Sequence, residues 1–251
     1  MIQAILFDID DTLYDLSIPF KEAFREFFPG EEIELEGAFL ASRKYSDLIY
    51  DRSLNGEISM EEMYIYRLGN AFRDYGKIID GPTALQFQSV YERHQHEIRM
   101  TKEMEQMLGV LSRKMTLGII TNGPSEHQRD KIRALGVERW IPMERIWISG
   151  DLGVGKPHKE IFETARERLG LKPEELCFVG DAYGQDILGA KNVGWQTVWF
   201  NHRGRHATGD VTPDYEVRSE QALITLLEEL CADGSIFQKS TMVQKMTYEG
   251  E

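Results

Sequence analysis

Cysteine is scarce in this chain. There are two in 251 residues, Cys177 and Cys231, too few for a disulfide framework. A reducing, cytoplasmic setting is the expectation that follows. No uninterrupted apolar run approaches the ~20 residues of a membrane span, so no membrane partner is expected. The opening MIQAILFDID has neither a basic n-region nor a cleavage-like site, which argues against a secretory leader. Positive charge is also in deficit. Lys and Arg number 29 against 42 Asp and Glu, a formal net charge of −13. That balance argues against nonspecific binding of a nucleic-acid polymer, which is driven by basic surface, and no such partner is expected. There is no internal repeat and no low-complexity segment. With 41% hydrophobic residues, the chain has the apolar content that a disordered one lacks.

What is present is a set of short apolar runs. The first, residues 2–7, ends abruptly in Asp8-Ile9-Asp10-Asp11. Runs at 115–120, 145–148, 176–179 and 195–200 have the same character. A short continuous apolar run bounded by polar residues reads as a buried strand of a parallel sheet. Helical patterns separate these runs, at roughly 101–113, 124–135, 158–169 and 184–193. Pro157 opens the third, and Gly136, Gly170 and Gly194 follow the last three as stops. The alternation predicts an α/β fold with a parallel sheet.

Residues 15–98 break the alternation. Their apolar residues fall at helical spacing: Phe20, Phe24, Phe27 and Phe28; Met60, Tyr64, Leu68, Phe72 and Tyr75; Phe87, Val90, Tyr91, His94 and Ile98. Another helix is expected over 39–50. The simplest arrangement is a helical insert, 15–98, between two parts of one core, 1–14 and 99–232. Residues 233–251 are polar and without clear period, and read as a loose tail.

Three strands end in polar residues of one kind. They are Asp8-x-Asp10-x-Thr12, Thr121-Asn122-Gly123, and Gly180-Asp181 with Asp186 five residues on. Gly155-Lys156-Pro157 lies between the last two. The carboxyl ends of parallel strands share one edge of the sheet, where ligands bind. Asp8, Asp10, Thr121, Lys156, Asp181 and Asp186 are therefore expected to converge there. Carboxylates gathered together stay ionised only with a cation between them. Oxygen ligands without Cys or His favour a hard ion, Mg²⁺ first. A lysine and a threonine hydroxyl beside such an ion suit a phosphoryl group. One carboxylate is then free to attack, and a second to move protons.

With these motifs in this order, the sequence resembles the haloacid dehalogenase superfamily over residues 1–230. Asp8-Ile9-Asp10-Asp11-Thr12-Leu13-Tyr14, Thr121-Asn122-Gly123, Gly155-Lys156-Pro157 and Gly180-Asp181-Ala182-Tyr183-Gly184-Gln185-Asp186 are similar to its four motifs. The insert resembles the helical cap of the subgroup with a cap between the first two motifs. The resemblance implies a Rossmann-like core, helices on both faces of its sheet, and a cap that closes over the substrate. It implies Asp8 as nucleophile and metal ligand. Asp10 is implied as general acid and base, with its carbonyl on the metal. Thr121, Asn122 and Lys156 are implied to hold the phosphoryl group, Lys156 also to steady Asp8, Asp181 to bind Mg²⁺, and Asp186 to act through water or by orienting Lys156.

The same resemblance covers several chemistries. Dehalogenases of the superfamily lack an aspartate two residues after the nucleophile, since a departing halide needs no proton. Asp10 therefore favours phosphomonoester hydrolysis. A sugar-phosphate mutase uses the same pair, and a binding protein on this fold is the non-enzyme alternative. The expected reading is a Mg²⁺-dependent phosphatase of a small phosphorylated metabolite, with nucleotide and sugar phosphates both open and oligomeric state unread. His94-x-His96 is not a metal pair, because residues two apart on a helix face different ways. Cys177 reads as a small buried hydrophobe, and Trp195 and Trp199 as packing residues.

Overall fold

The computed structural model describes residues 1–233. The expected tail, 233–251, lies outside them but for its first residue. The chain divides into two compact units, Leu16–Ile98 and the remainder, Met1–Asp15 with Arg99 onward.

The larger unit is built on a parallel sheet of β1 (Ala4–Phe7), β2 (Thr116–Thr121), β3 (Ile146–Ile148), β4 (Leu176–Gly180), β5 (Gln196–Phe200) and β6 (Tyr215–Val217). Their spatial order is β3-β2-β1-β4-β5-β6, with every pairing parallel. The fold is α/β and Rossmann-like, as the alternation predicted. All four residues of β1 are buried, and its neighbours project to opposite faces, so both faces of the sheet are covered. On one face Leu6, Ile120, Phe178 and Trp195 join Ile161 and Phe162. The Phe162 ring meets those of Phe178 and Trp195 edge-on.

β6 was not predicted. It has three residues, one of them buried, and such a strand leaves no readable apolar run. The helix Glu220–Asp233, which packs on Lys102–Leu111, also went unpredicted. The predicted helix 184–193 begins instead as a π-turn, Tyr183–Ile187, before Leu188–Asn192.

The smaller unit holds α1 (Ser17–Phe27), α2 (Leu35–Leu54), α3 (Met60–Asp74) and α4 (Gly81–Gln95). Its core is aromatic: Phe20, Phe24, Phe39, Phe72, Phe87 and Tyr91 are buried together. Ser59 and Glu62 form a capping box at the start of α3, and Asp80 caps α4 ahead of Pro82. His94 pairs with Glu26 inside this unit and His96 is exposed. Among the described residues no helix is long and apolar enough to cross a membrane.

Candidate active site

Successive strands are laid down to one side of β1 as far as β3 and then to the other side from β4, so the strand order reverses between β1 and β4. At such a point two neighbouring loops part and leave a crevice beyond the carboxyl ends. Asp8 directly follows β1 and Asp181 directly follows β4. The Asp8 N–H still donates to the Val179 carbonyl at 2.9 Å, so the ladder runs up to the carboxylate. Thr121 is the last residue of β2. Asp11 turns the chain away with φ of 55°, a left-handed conformation that aspartate tolerates better than most residues. Arg203 holds it there by donating to both Asp11 oxygens, at 2.7 and 2.6 Å.

Carboxylate oxygens of Asp8, Asp181 and Asp186 lie within 4.8 Å of one another, and all three residues are buried. Lys156 Nζ sits between two of them, 2.7 Å from Asp8 Oδ1 and 2.6 Å from Asp186 Oδ1. Burial pushes the Asp8 carboxyl up to about 7. Lys156 works against that rise, and Asp186 and Asp10 add to it. Burial, Asp186 and Asp8 together raise the Asp181 carboxyl well above the usual range, with Arg205 opposing. Burial would lower Lys156, but Asp186 and Asp8 outweigh it and hold the ammonium above the ordinary lysine value. Three buried carboxylates against one lysine and one arginine thus make a cluster short of positive charge, and its candidate ligand atoms are all oxygens. That donor set fits a hard divalent cation.

Asp186 is fully buried, and its other oxygen accepts from the Ala182 N–H at 2.9 Å. Its approach requires glycine at 180, where a Cβ would collide with the Asp186 carboxyl group. Trp199 does more than pack, since its Nε1 donates to the Asp181 carbonyl at 2.9 Å. The Thr121 hydroxyl is buried and has no hydrogen-bond partner among the described residues.

Two of the expected residues have side chains bonded to groups other than the three clustered carboxylates. Asn122 is expected to hold the phosphoryl group, and its side chain is engaged with neighbouring protein groups. Its Nδ2 donates to the Lys156 carbonyl at 2.8 Å and to Gln185 at 3.2 Å, and its Oδ1 accepts from the Lys156 N–H at 2.8 Å. Both of its N–H groups have partners, so its amide fixes the lysine's backbone. The Asp10 carboxylate is held by Lys131, which donates to both oxygens at 2.8 and 2.7 Å, and by the Tyr14 hydroxyl at 2.6 Å.

Lys131 escaped the sequence reading although a signal existed. Gln128, Lys131, Ile132 and Leu135 are all buried on the helix Ser125–Leu135. Their spacing is i, i+3, i+4, i+7, so the lysine stands in the inward stripe. Arg205, whose Nη1 donates to Asp181 Oδ2 at 2.6 Å, lies in a loop with no period to betray it.

The sequence matches the haloacid dehalogenase-like hydrolase family over residues 2–194. A similar protein is the glyceraldehyde 3-phosphate phosphatase of Methanocaldococcus jannaschii, 30% identical over 243 residues, covering 93% of this chain and 100% of that one. The crystal structure of a HAD phosphatase from Thermococcus onnurineus is 27% identical. It aligns with a TM-score of 0.56 over 90% of this chain and 98% of that one. A 2-haloacid dehalogenase from Pseudomonas syringae pv. tomato DC3000 is 25% identical. It aligns with a TM-score of 0.56 over 91% of this chain and 99% of that one.

Proposed function

The chain belongs to the haloacid dehalogenase-like hydrolases, and on that premise we propose that it is a Mg²⁺-dependent phosphatase of a small phosphorylated metabolite. The observation that carries this reading is Asp10, poised by Lys131 and Tyr14 two residues beyond a buried Asp8. A halide leaves without a proton, whereas an alkoxide requires one. The similar phosphatases named above support the same chemistry.

In this reading Asp8 attacks phosphorus and the bond from phosphorus to the ester oxygen breaks. Protonated Asp10 delivers its proton to the departing alkoxide. Asp10, now a carboxylate, takes a proton from water as that water attacks the aspartyl-phosphate. The bond from phosphorus to Asp8 then breaks, releasing phosphate and restoring Asp8. Lys156 and the Thr121 hydroxyl hold the phosphoryl oxygens, and Asp186 and Asn122 hold Lys156 in place. Asp8, Asp181 and the Asp10 carbonyl would hold Mg²⁺, which supplies positive charge against the carboxylates and the phosphoryl oxygens. The free cysteines accord with a cytoplasmic location.

The test is phosphate release from p-nitrophenyl phosphate and from a panel of triose, sugar and nucleotide monophosphates, glyceraldehyde 3-phosphate among them. Turnover with Mg²⁺ that disappears with chelator is expected. Absence of turnover from pH 5 to 9 would refute a phosphatase. Isomer interconversion without net phosphate release would indicate a mutase.

Lys131 provides a second test. Lys131→Met frees the Asp10 carboxylate to wander, and kcat is expected to fall about 10- to 100-fold with KM nearly unchanged. The fall should be larger for an alkyl phosphate than for p-nitrophenyl phosphate, whose leaving group needs little protonation. Equal losses on both substrates would make Lys131 a structural residue only.

A further inference from the structure

The loop from Asn201 to Asp214 carries two arginines that behave differently. Arg203 is chelated by Asp11 and Asp15, and its side chain is 6% exposed. Arg205 also has a fixed backbone. Its N–H donates to Asn201 Oδ1 at 2.7 Å and its carbonyl accepts from Asn201 Nδ2 at 2.9 Å. Its side chain, however, is 43% exposed, and it reaches in from solvent to meet Asp181 at 2.6 Å. The second contact, to Asp11 Oδ2, is long at 3.5 Å.

Asp181 therefore has two possible counter-charges. One is the guanidinium, which lies against the carboxylate in the structure. The other is a divalent ion among Asp8, Asp181 and Asp186, where the donor set fits one. A hard divalent ion would draw on the same carboxylate group, and two cations on one carboxylate repel each other. Arg205 is the partner able to yield, because its side chain is half in water while Asp181 is rooted at a strand end.

We propose that Arg205 is a resident counter-cation that competes with the divalent ion for Asp181 and thereby sets the protein's affinity for that ion. When the ion binds, the guanidinium leaves Asp181 and the Asn201 clamp keeps the loop in place. When the ion departs, Arg205 returns and spares the cluster an uncompensated buried charge. This rests on the metal-site reading of Asp8 and Asp181 given above.

Calorimetric titration of Mg²⁺ into the metal-stripped protein, without phosphate, tests it. Arg205→Gln is expected to tighten the Mg²⁺ Kd about three- to fivefold, the upper part of the range for loss of a partly exposed ion pair. Arg205→Lys keeps the competing charge and is expected to stay within about twofold of wild type. The metal-free Gln variant is expected to melt below the metal-free wild type, with the two converging at saturating Mg²⁺. An unchanged or weaker Kd in Arg205→Gln overturns the proposal, as does Arg205→Lys tightening as much as Gln. Asp181→Asn separates the two readings. If the wild type binds Mg²⁺ and this variant does not, a failure of the arginine arms concerns Arg205 alone. If the wild type binds none, or Asp181→Asn binds as the wild type does, the metal site falls and this proposal with it.

Discussion

Asp8→Asn is expected to lower kcat by about 10⁴-fold or more, because the neutral amide is a far weaker nucleophile than the carboxylate and cannot yield the acyl phosphate. The variant should remain folded. Asparagine matches the aspartate in shape and keeps an oxygen that accepts from Lys156, now 2.7 Å from Asp8 Oδ1. Stability gives an independent readout. Burial holds the Asp8 carboxyl at about 7, whereas the unfolded chain titrates near 3.8. Between those values the folded protein keeps a proton that the unfolded chain has released. Folded-state stability therefore falls as pH rises through that window. In the metal-free wild type the melting temperature should decline from pH 4 to 7, and Asp8→Asn should flatten the decline without abolishing it, because Asp181 is raised as well. Thermal melts across that range, with steady-state kinetics, check both parts. Wild-type-like turnover would remove Asp8 as nucleophile, and an unchanged pH slope would contradict the burial argument.

The second large effect is on folding. Lys156→Met deletes the cation between Asp8 and Asp186, whose side chains are 11% and 0% exposed. Removing one partner of a buried pair leaves the other charge uncompensated and costs about 3–5 kcal/mol. For a chain of this size that corresponds to roughly 10 °C in melting temperature. Methionine has the length to fill the space beside the Phe178 ring, which lies 5.2 Å from Nζ, so the loss is electrostatic rather than a cavity. The double variant Lys156→Met with Asp186→Asn should recover part of the stability, because it removes one stranded charge. Turnover should be lost in both. If the double variant were no more stable than the single one, the penalty would lie in packing and not in charge.

The architecture was readable because its signals are local. A buried parallel strand is largely apolar along its length, so β1, β2, β3, β4 and β5 stood out as short runs between polar turns. The aromatic spacing within 15–98 likewise announced helices, and Phe20, Phe72 and Phe87 do form a buried core there. β6 failed that test by being short and half-exposed. In the site, residues at strand ends were visible from the motif order: Asp8, Thr121 and Asp181. The partners of those residues were much less so. Lys131 carried a faint periodic trace, whereas Arg203 and Arg205 had none, because a loop has no repeat against which an odd residue can be measured.

The sequence alone determined the alternation of the first five strands with their helices, because that follows from burial patterns within a few residues, and it placed the polar groups at the strand ends. Burial patterns did not determine which cation meets which carboxylate: the resemblance implied the pairings of Lys156 with Asp8 and Asp186, while those of Lys131 and Arg205 went unread. Lys156 reaches Asp8 across 148 positions, Lys131 reaches Asp10 across 121, and Arg205 reaches Asp181 across 24. Those pairings depend on where the sheet order brings separate loops together, and on which side chains burial forces to find a counter-charge. The same physics assigned Asn122 to the lysine's backbone. A buried amide takes the hydrogen-bond partners within its reach, and only the folded chain places them there.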